Sequence, residues 1–421
     1  MMGSPMWRLF KNKGLVFLGL SNTISQLGDR LTHMVIITLI GSLFAGRISA
    51  FSEFAITWSL PIVILSPFAG VVIDHVNKRS IMLRCHLVQA MLIFITPTFI
   101  ALTKSMVPIW ILVVLFFSLD LFNNASKNAV IPDLVKTKEL VTANSVIIIL
   151  ARIATFAGMV GGGHLVEWVG WRLGFYIDAS AHFIAGILVL GMGAKMLFEP
   201  VQKFEYSLIW ELGKSFNRFV GDLKELGLLL IRDRVVQFVM LSVFVLPFVA
   251  TIAYTVLVFL IQQEFGQGTQ GVGWLGGIIG VGMLIGGVLM GFLGTYVNRA
   301  KIVIGSIAVL ALFFVAGPFL ISPFFLYAVA FVAGMVFSFI GIAQDTILQK
   351  DVMKGIRGRI FATKEFVINL TVVLCAILIG VISYHLAPYT IILAVGIILI
   401  GITAWALVIY AAIPRQIRST L

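Results

Sequence analysis

GVVIDHVNK occupies residues 70–78, and GFLGTYVNR occupies residues 291–299. Gly70 aligns with Gly291, Val76 with Val297, Asn77 with Asn298 and Lys78 with Arg299, at an offset of 221 residues in a chain of 421. A second pair follows, at an offset of 218 residues. NNASKNAVIPDLV at 123–135 corresponds to GIAQDTILQKDVM at 341–353, with Ala125 on Ala343 and Asp133 on Asp351. Self-similarity at half the chain length marks an internal duplication, so the fold is expected as two copies of one unit.

What lies around these turns identifies the solvent. The chain is 60% hydrophobic and 11% charged, with a mean hydropathy of +1.07. A water-soluble protein carries about a quarter charged residues, so this composition cannot clothe an aqueous surface. Apolar stretches of spanning length recur, and predict helices near 14–44, 50–74, 80–103, 107–130, 139–168, 172–197, 235–263, 270–295, 301–320, 323–348, 358–384 and 388–411. The basic start MMGSPMWRLFKNKG superficially resembles a signal peptide. The apolar stretch behind it is too long for one, contains Asp29 and Arg30, and lacks a small-residue cleavage site. It reads as a first membrane helix.

The fold class expected is therefore an all-α membrane protein with twelve transmembrane helices in two pseudo-symmetric six-helix bundles. The bundles are set at 1–197 and 235–421, joined by 198–234. In that joining segment Leu208, Leu212, Phe216, Phe219, Leu223 and Leu226 recur at spacings of three and four. The pattern is an amphipathic linker helix on the cytoplasmic surface.

Charge placement orients the chain. Loops on one side, counted over 1–13, 75–84, 127–138, 195–234, 299–301, 350–364 and 415–421, hold 25 of the 30 Lys and Arg residues. The other side holds three, Arg47, Lys104 and Arg172. Basic residues stay on the cytoplasmic side, so both termini are assigned there. The same placement gives the net charge of +12 a topological meaning, and nucleic acid is excluded as a partner. Cys85 and Cys375 sit in or beside apolar runs far apart in sequence, with no disulfide and no metal cage expected. GVGWLG at 271–276 has the spacing of a dinucleotide loop but neither the preceding strand nor the following acid. Its glycines, with Gly280, Gly282, Gly286, Gly287 and Gly291, read as close helix packing. No P-loop, HExxH or GxSxG is present, so ATP-driven pumping and hydrolysis lack support and no cofactor is expected.

GVVIDHVNKR is similar to the signature loop of the major facilitator superfamily: glycine, three residues, aspartate, a basic residue, any residue, glycine, two basic residues. Gly70, Asp74, Lys78 and Arg79 match, His75 stands for the first basic residue, and Asn77 replaces the second glycine. Asn is the best non-glycine residue for a left-handed turn position. LGD at 27–29, IPDLV at 131–135, AN at 143–144, IDAS at 177–180 and RGRIF at 357–361 resemble the macrolide and siderophore exporters of that superfamily. They also resemble the neighbouring lysophospholipid transporters. AGMVGG at 157–162 keeps the paired glycines of the drug-exporter antiporter motif but has Ala157 and Gly158 where glycine and proline are expected.

The resemblance implies a secondary transporter, not an enzyme, working by alternating access as a multi-pass protein of the bacterial inner membrane. A monomer is expected. The signature loop would latch the cytoplasmic ends of the halves, through Gly70, Asp74, Lys78, Arg79, Arg299, Arg357, Arg359, Glu365 and, as a further candidate, Lys364. The expected task is proton-coupled efflux of an amphiphilic or lipophilic small molecule, with lysophospholipid transport as the alternative.

Ionisable residues at membrane depth cost about 2.5–3.5 kcal/mol each on insertion scales and mark functional sites. They crowd into the first half. Asp29, Asp120, Arg152, His33 and Arg30 are the proton-coupling candidates, with Asp29 the acid expected to titrate and Arg152 or Arg30 its partner. Gln26, Asn123, Asn124, Lys127, Asp178 and His182 are the substrate-cavity candidates. In the second half Asp345 and Glu365 lie near cytoplasmic helix ends. This asymmetry predicts a charged half for the proton and an apolar half for the substrate. Asp29 with His33 and Asp178 with His182 also admit a divalent-metal exporter as a lesser alternative. Asp178 and His182 are expected nearer the outer side than Asp29.

Overall fold

The computed structural model describes residues 11–103, 105–136, 139–192, 208–293, 297–320, 322–351 and 354–415. Within them lie α1 (Lys13–Leu43), α2 (Ile48–His75), α3 (Lys78–Thr103) and α4 (Val107–Leu134). A helical stretch, Leu140–Leu190, follows, and then α7 (Leu208–Arg232) and α8 (Arg234–Ile252). The series closes with α9 (Gly268–Leu293), α10 (Arg299–Leu320), α11 (Pro323–Asp351), α12 (Lys354–Ile382) and α13 (Pro388–Ala412). α8 runs on through two π-turns, Ala253–Leu257 and Leu260–Glu264.

Leu140–Leu190 is two helices. Gly170 has φ 81° and ψ 162°, a backbone open to glycine and closed to other residues. A Cβ on Gly174 would lie 3.5 Å from Val166 Cγ2. In a continuous helix eight residues span about 12 Å, so the chain reverses at Gly170. We name the two arms α5 (140–169) and α6 (171–190). With α5 and α6 separated and α1 included, the described residues hold twelve membrane helices, α1–α6 and α8–α13. α7 is the amphipathic helix between them.

The duplicated turn has duplicated structure. Asn77 Oδ1 accepts the Ser80 amide at 3.0 Å, and Asn298 Oδ1 accepts the Lys301 amide at 3.0 Å. Each Asn thus caps the helix that Lys78 or Arg299 opens. The repeated residue serves as an N-cap, a role more specific than the left-handed turn its sequence context predicts.

The described residues divide into two compact units. One is built from the chain up to Leu43 and from Leu60 to Asn217; the other from Phe44 to Ser59 and from Arg218 onward. Residues 44–59 belong to the second unit because the outer part of α2 packs there. Ala55 joins Val372 and Ala376 of α12, Trp58 meets Tyr254 of α8, and Arg47 donates to the Tyr384 hydroxyl. The start of α7 lies in the first unit, with Phe216 stacked on Phe68 and Ser215 donating to the Pro67 carbonyl. Its remainder lies in the second, where Phe219 meets Phe366 and Leu226 enters the apolar core.

In the second unit α9 and α11 touch backbone to backbone. A Cβ on Gly282 would fall 2.1 Å from the Phe331 carbonyl oxygen, and one on Gly334 would fall 2.1 Å from that of Ile279. Without a hydrophobic force between helices in lipid, such close approach supplies the packing energy. Gly282→Ala is expected to lower stability by about 1–3 kcal/mol through overpacking. Gly287→Ala, whose Cβ meets nothing within 4 Å, is expected to leave it unchanged. Thermal unfolding of the purified variants in detergent reads the contrast.

Candidate functional site

Helix register brings the ionisable residues of the first unit together. Phe17 lies against Gly191, Ser21 Oγ donates to the Ala185 carbonyl at 2.9 Å, and Gly28 lies against Asp178 and Ala181. α1 and α6 are therefore antiparallel neighbours, with Asp29 level with Asp178. This corrects the expectation that Asp178 and His182 lie nearer the outer side. The approach at Gly28 is close, because a Cβ there would sit 2.1 Å from Asp178 Oδ1. On the other side of α1, Gly158 and Gly162 of α5 face Arg30 and Leu31, while Gly161 faces open space. The glycines of AGMVGG thus serve as a packing surface for α1.

Side chains point toward the N-terminus of their own helix, so Asp29 and His182 reach past one another and meet. His182 Nε2 lies 3.0 Å from Asp29 Oδ1 and 3.6 Å from Asp178 Oδ1. Asp29 is 5% exposed, Asp178 0% and His182 1%. Gln26 donates to Asp29 Oδ2 at 2.9 Å, and Thr155 of α5 donates to Gln26 at 3.4 Å. Thr32 of α1 faces the Asp178 carboxyl, and the His182 ring stands 3.6 Å from its Oδ1. A carboxylate so buried is costly unless a cation or a proton accompanies it.

His182 has a second neighbour. Its Nδ1 lies 3.3 Å from Nδ1 of His86, on α3 and 1% exposed. Phe116 of α4 meets the His182 ring edge to face at 5.3 Å, and its carbonyl accepts from Gln89. Next to this core runs a polar ladder. Lys127 donates to Asn22 of α1 at 2.8 Å and to Asn124 at 2.7 Å, and Asn124 donates to Asp120 at 2.8 Å. Asp120 lies within electrostatic reach of Asp29, Lys127, His182 and Arg30. Three carboxylates, Asp29, Asp120 and Asp178, thus lie with two basic side chains, Arg30 and Lys127, and the His182 ring.

Several expected placements change. Arg152 is exposed on α5 and is not among the groups that contact Asp29, whose ring partner is His182. His33 is buried with its ring edge-on to Phe117 at 5.8 Å. Asp178 and His182 join Asp29 instead of standing apart. Asn123 is buried, and Asn124 and Lys127 are half-buried. His86 and Asn22 escaped sequence reading; the register of α3 and α6 that finds them is invisible until both helices are placed. Among the described residues no group of three or more His, Cys, Asp or Glu is arranged to hold a metal ion.

The signature turn works within the first unit. Lys78 pairs with Asp133 at 2.9 Å and donates to the Ala129 carbonyl at 3.0 Å, both at the end of α4. Arg79 is 2% exposed and donates to the carbonyls of Val189 and Leu190 at the end of α6. These bonds satisfy helix-end acceptors and meet the negative dipole end with a cation. The side chains of Asp74, Arg357 and Arg359 lie outside the described residues. Gly70 is exposed within α2, Arg299 opens α10, Glu365 is exposed, and Lys364 pairs with Asp345 at 2.5 Å.

Beside the buried cluster lies an open apolar groove of about 380 Å³, lined by Leu27, Gly28 and Leu31 of α1, Gly158 and Gly162 of α5, and Ala181 of α6.

The profile of the Major Facilitator Superfamily matches residues 18–211 and 239–420, and the gap between them holds most of α7. The chain belongs to the major facilitator superfamily. It is 25% identical over 391 residues to the MFS-type transporter YfiS of Bacillus subtilis (strain 168), covering 87% of this chain and 86% of that protein. It is 24% identical over 319 residues to macrolide efflux protein A of Enterococcus faecalis, covering 74% and 94%. The crystal structure of the nucleoside transporter NupG matches in fold with a TM-score of 0.71 at 15% identity, covering 93% of this chain and 99% of that one. The protein is thus a multi-pass membrane transporter of this superfamily, with efflux proteins among its relatives.

The shared ring generates a stability test. His182→Gln takes from Asp29 and Asp178 the ring that both carboxyls face, a change expected to cost about 1–3 kcal/mol, the penalty of a buried polar group left without its partner. Adding Asp29→Asn removes one of the two carboxyls and should recover part of that loss, with a coupling of about 0.5–3 kcal/mol. Denaturant unfolding of the two single variants and the double variant measures it; additive effects would show that the contact has no energetic weight.

Proposed function

We propose that the protein exports amphiphilic or lipophilic small molecules across a bacterial inner membrane in exchange for protons. One observation carries the reading: a buried imidazole, His182, held between Asp29 and Asp178 inside a membrane-spanning unit. Such a site takes up or releases one proton at the cost of a large change in local field. That change is the differential interaction a transporter needs to bias two conformations. Asp29 is the carboxylate that titrates, His182 is its partner, and the Asp120–Asn124–Lys127 ladder presents polar groups toward a substrate. The second unit supplies apolar contact: its buried polar side chains among the described residues are Ser, Thr, Asn and Gln. Macrolide efflux protein A among the relatives supports export and a large apolar cargo. The signature turn holds α3, α4 and α6 as one rigid arm, and so transmits motion at the cytoplasmic end.

Inside-out vesicles containing the protein are the direct test, with a labelled macrolide, ethidium and labelled lysophosphatidylcholine as probes. An acid interior should drive accumulation of the macrolide or of ethidium. One pH unit is worth about 1.4 kcal/mol, so one proton per substrate supports at most about tenfold accumulation. A protonophore should abolish it, and Asp29→Asn should do the same. Drug accumulation indifferent to the gradient contradicts the proposal, and lysolipid uptake alone, independent of the gradient, would replace it with lipid transport.

A further inference from the structure

We propose that His86 and His182 form a two-ring relay that passes the transported proton between Asp29 and the cytoplasmic side of the membrane. The inference rests on the proton-coupled reading above and adds to it a route and a residue, His86.

The geometry is a chain of three contacts: Asp29 Oδ1 to His182 Nε2 at 3.0 Å, His182 Nδ1 to His86 Nδ1 at 3.3 Å, and the free end of the chain at His86 Nε2. A contact between two ring nitrogens is a hydrogen bond only when one of them bears hydrogen and the other does not. The tautomers of the two rings are therefore locked together. When Asp29 is ionised, His182 donates through Nε2, its Nδ1 is bare, and His86 donates to it through Nδ1. When Asp29 is protonated, it donates to a bare His182 Nε2, His182 bears its hydrogen on Nδ1, and His86 accepts at Nδ1 and bears its hydrogen on Nε2.

Release moves between these states with the protons balanced. The Asp29 proton goes to His182 Nε2, the His182 Nδ1 proton goes to His86 Nδ1, and the His86 Nε2 proton passes to a water molecule that reaches the ring from the cytoplasmic side. Asp29 ends as a carboxylate, both rings end neutral, and one proton has departed. No bond other than N–H and O–H changes. Run backward, the same chain loads Asp29 from the cytoplasmic side.

Depth gives the route its direction. α1 and α3 both enter from the basic side. His86 is eight residues into α3, about 12 Å from its start at Lys78, whereas Asp29 is sixteen residues into α1, about 24 Å from Lys13. His86 stands beside Gly186, one turn inward from the Arg79-held end of α6. The relay thus covers the inner part of the way from Asp29 to the cytoplasmic mouth, and water entering from the mouth completes it.

The surroundings favour transfer through the rings. Phe116 covers His182, and His86 and His182 are each 1% exposed. The ionisable groups facing the pair are Asp178 on α6, Asp29 on α1, and Asp120 and Lys127 on α4. Arg30 and His33 lie farther along α1. α5 contributes Arg152, which is exposed, and His164, bonded to its own Val160 carbonyl. On α3 the neighbouring Cys85 is buried and Arg84 is exposed.

The test is a pH jump on the full-length protein in proteoliposomes, with infrared detection of the protonated carboxyl band that Asp29→Asn removes. No transported substrate is needed. His86→Gln and His86→Asn keep a hydrogen-bonding side chain but cannot shuttle a proton by tautomer exchange. Both are expected to slow decay of the Asp29 band at least about tenfold and to leave its final amplitude unchanged. A wild-type rate in either variant overturns the relay. So does loss of amplitude in both, because it assigns His86 a structural part. If the wild-type protein has no band sensitive to Asp29→Asn, the proton-coupled reading itself fails, a result separable from failure of the relay.

Discussion

The contact between Asp29 and His182 is the constraint around which the first unit is arranged. A charge within an apolar body is tolerated only with a partner in place, because desolvation outweighs any single weak contact. Meeting that condition requires α1 and α6 to run close and in one register. Gly28 permits the approach, and Gly158 and Gly162 let α5 close on the opposite flank of α1. Gly170 supplies the tight reversal that returns α6 alongside α5. The residues of the signature turn then tie off the cytoplasmic ends, with Arg79 on α6 and Lys78 on α4. A single buried pairing thus explains the placement of otherwise scattered glycines and basic residues.

The two units solve the same packing problem by different means. In the first, polar side chains link α1, α3, α4, α5 and α6 across an interior that also buries apolar residues such as Met34, Ile36, Ile93 and Phe175. In the second, one large cluster of aliphatic and aromatic residues joins α8, α10, α11, α12 and α13, while α9 rests on α11 through glycine. Duplication preserved the turn and its Asn cap, and the interiors diverged.

Much of the fold was legible in the sequence. Hydropathy placed the spanning segments to within a few residues, since twenty or so apolar residues have few other fates. The repeated Asn announced the duplication, although its capping role needed the helix ends. The site was legible only in kind. Asp29, Asp178 and His182 stood out as charges where charge is costly. Their convergence did not, because spacing along one helix reveals its own face and says nothing of the neighbour's register. That is why Asp29 was matched with His33, Arg30 or Arg152 in sequence and with His182 in structure, and why His86, an unremarkable ring in an apolar run, went unnoticed.

The central claim is that Asp29 and His182 share one exchangeable proton. Nitrogen-15 magnetic resonance of histidine-labelled protein in lipid, titrated from about pH 5 to about pH 9, reads it directly, since ring nitrogens report their own protonation and that of a hydrogen-bonded neighbour. The account predicts that the His182 signals change state within that range and that Asp29→Asn abolishes or displaces the transition. A His182 ring that keeps one tautomer throughout, with or without Asp29, would contradict it.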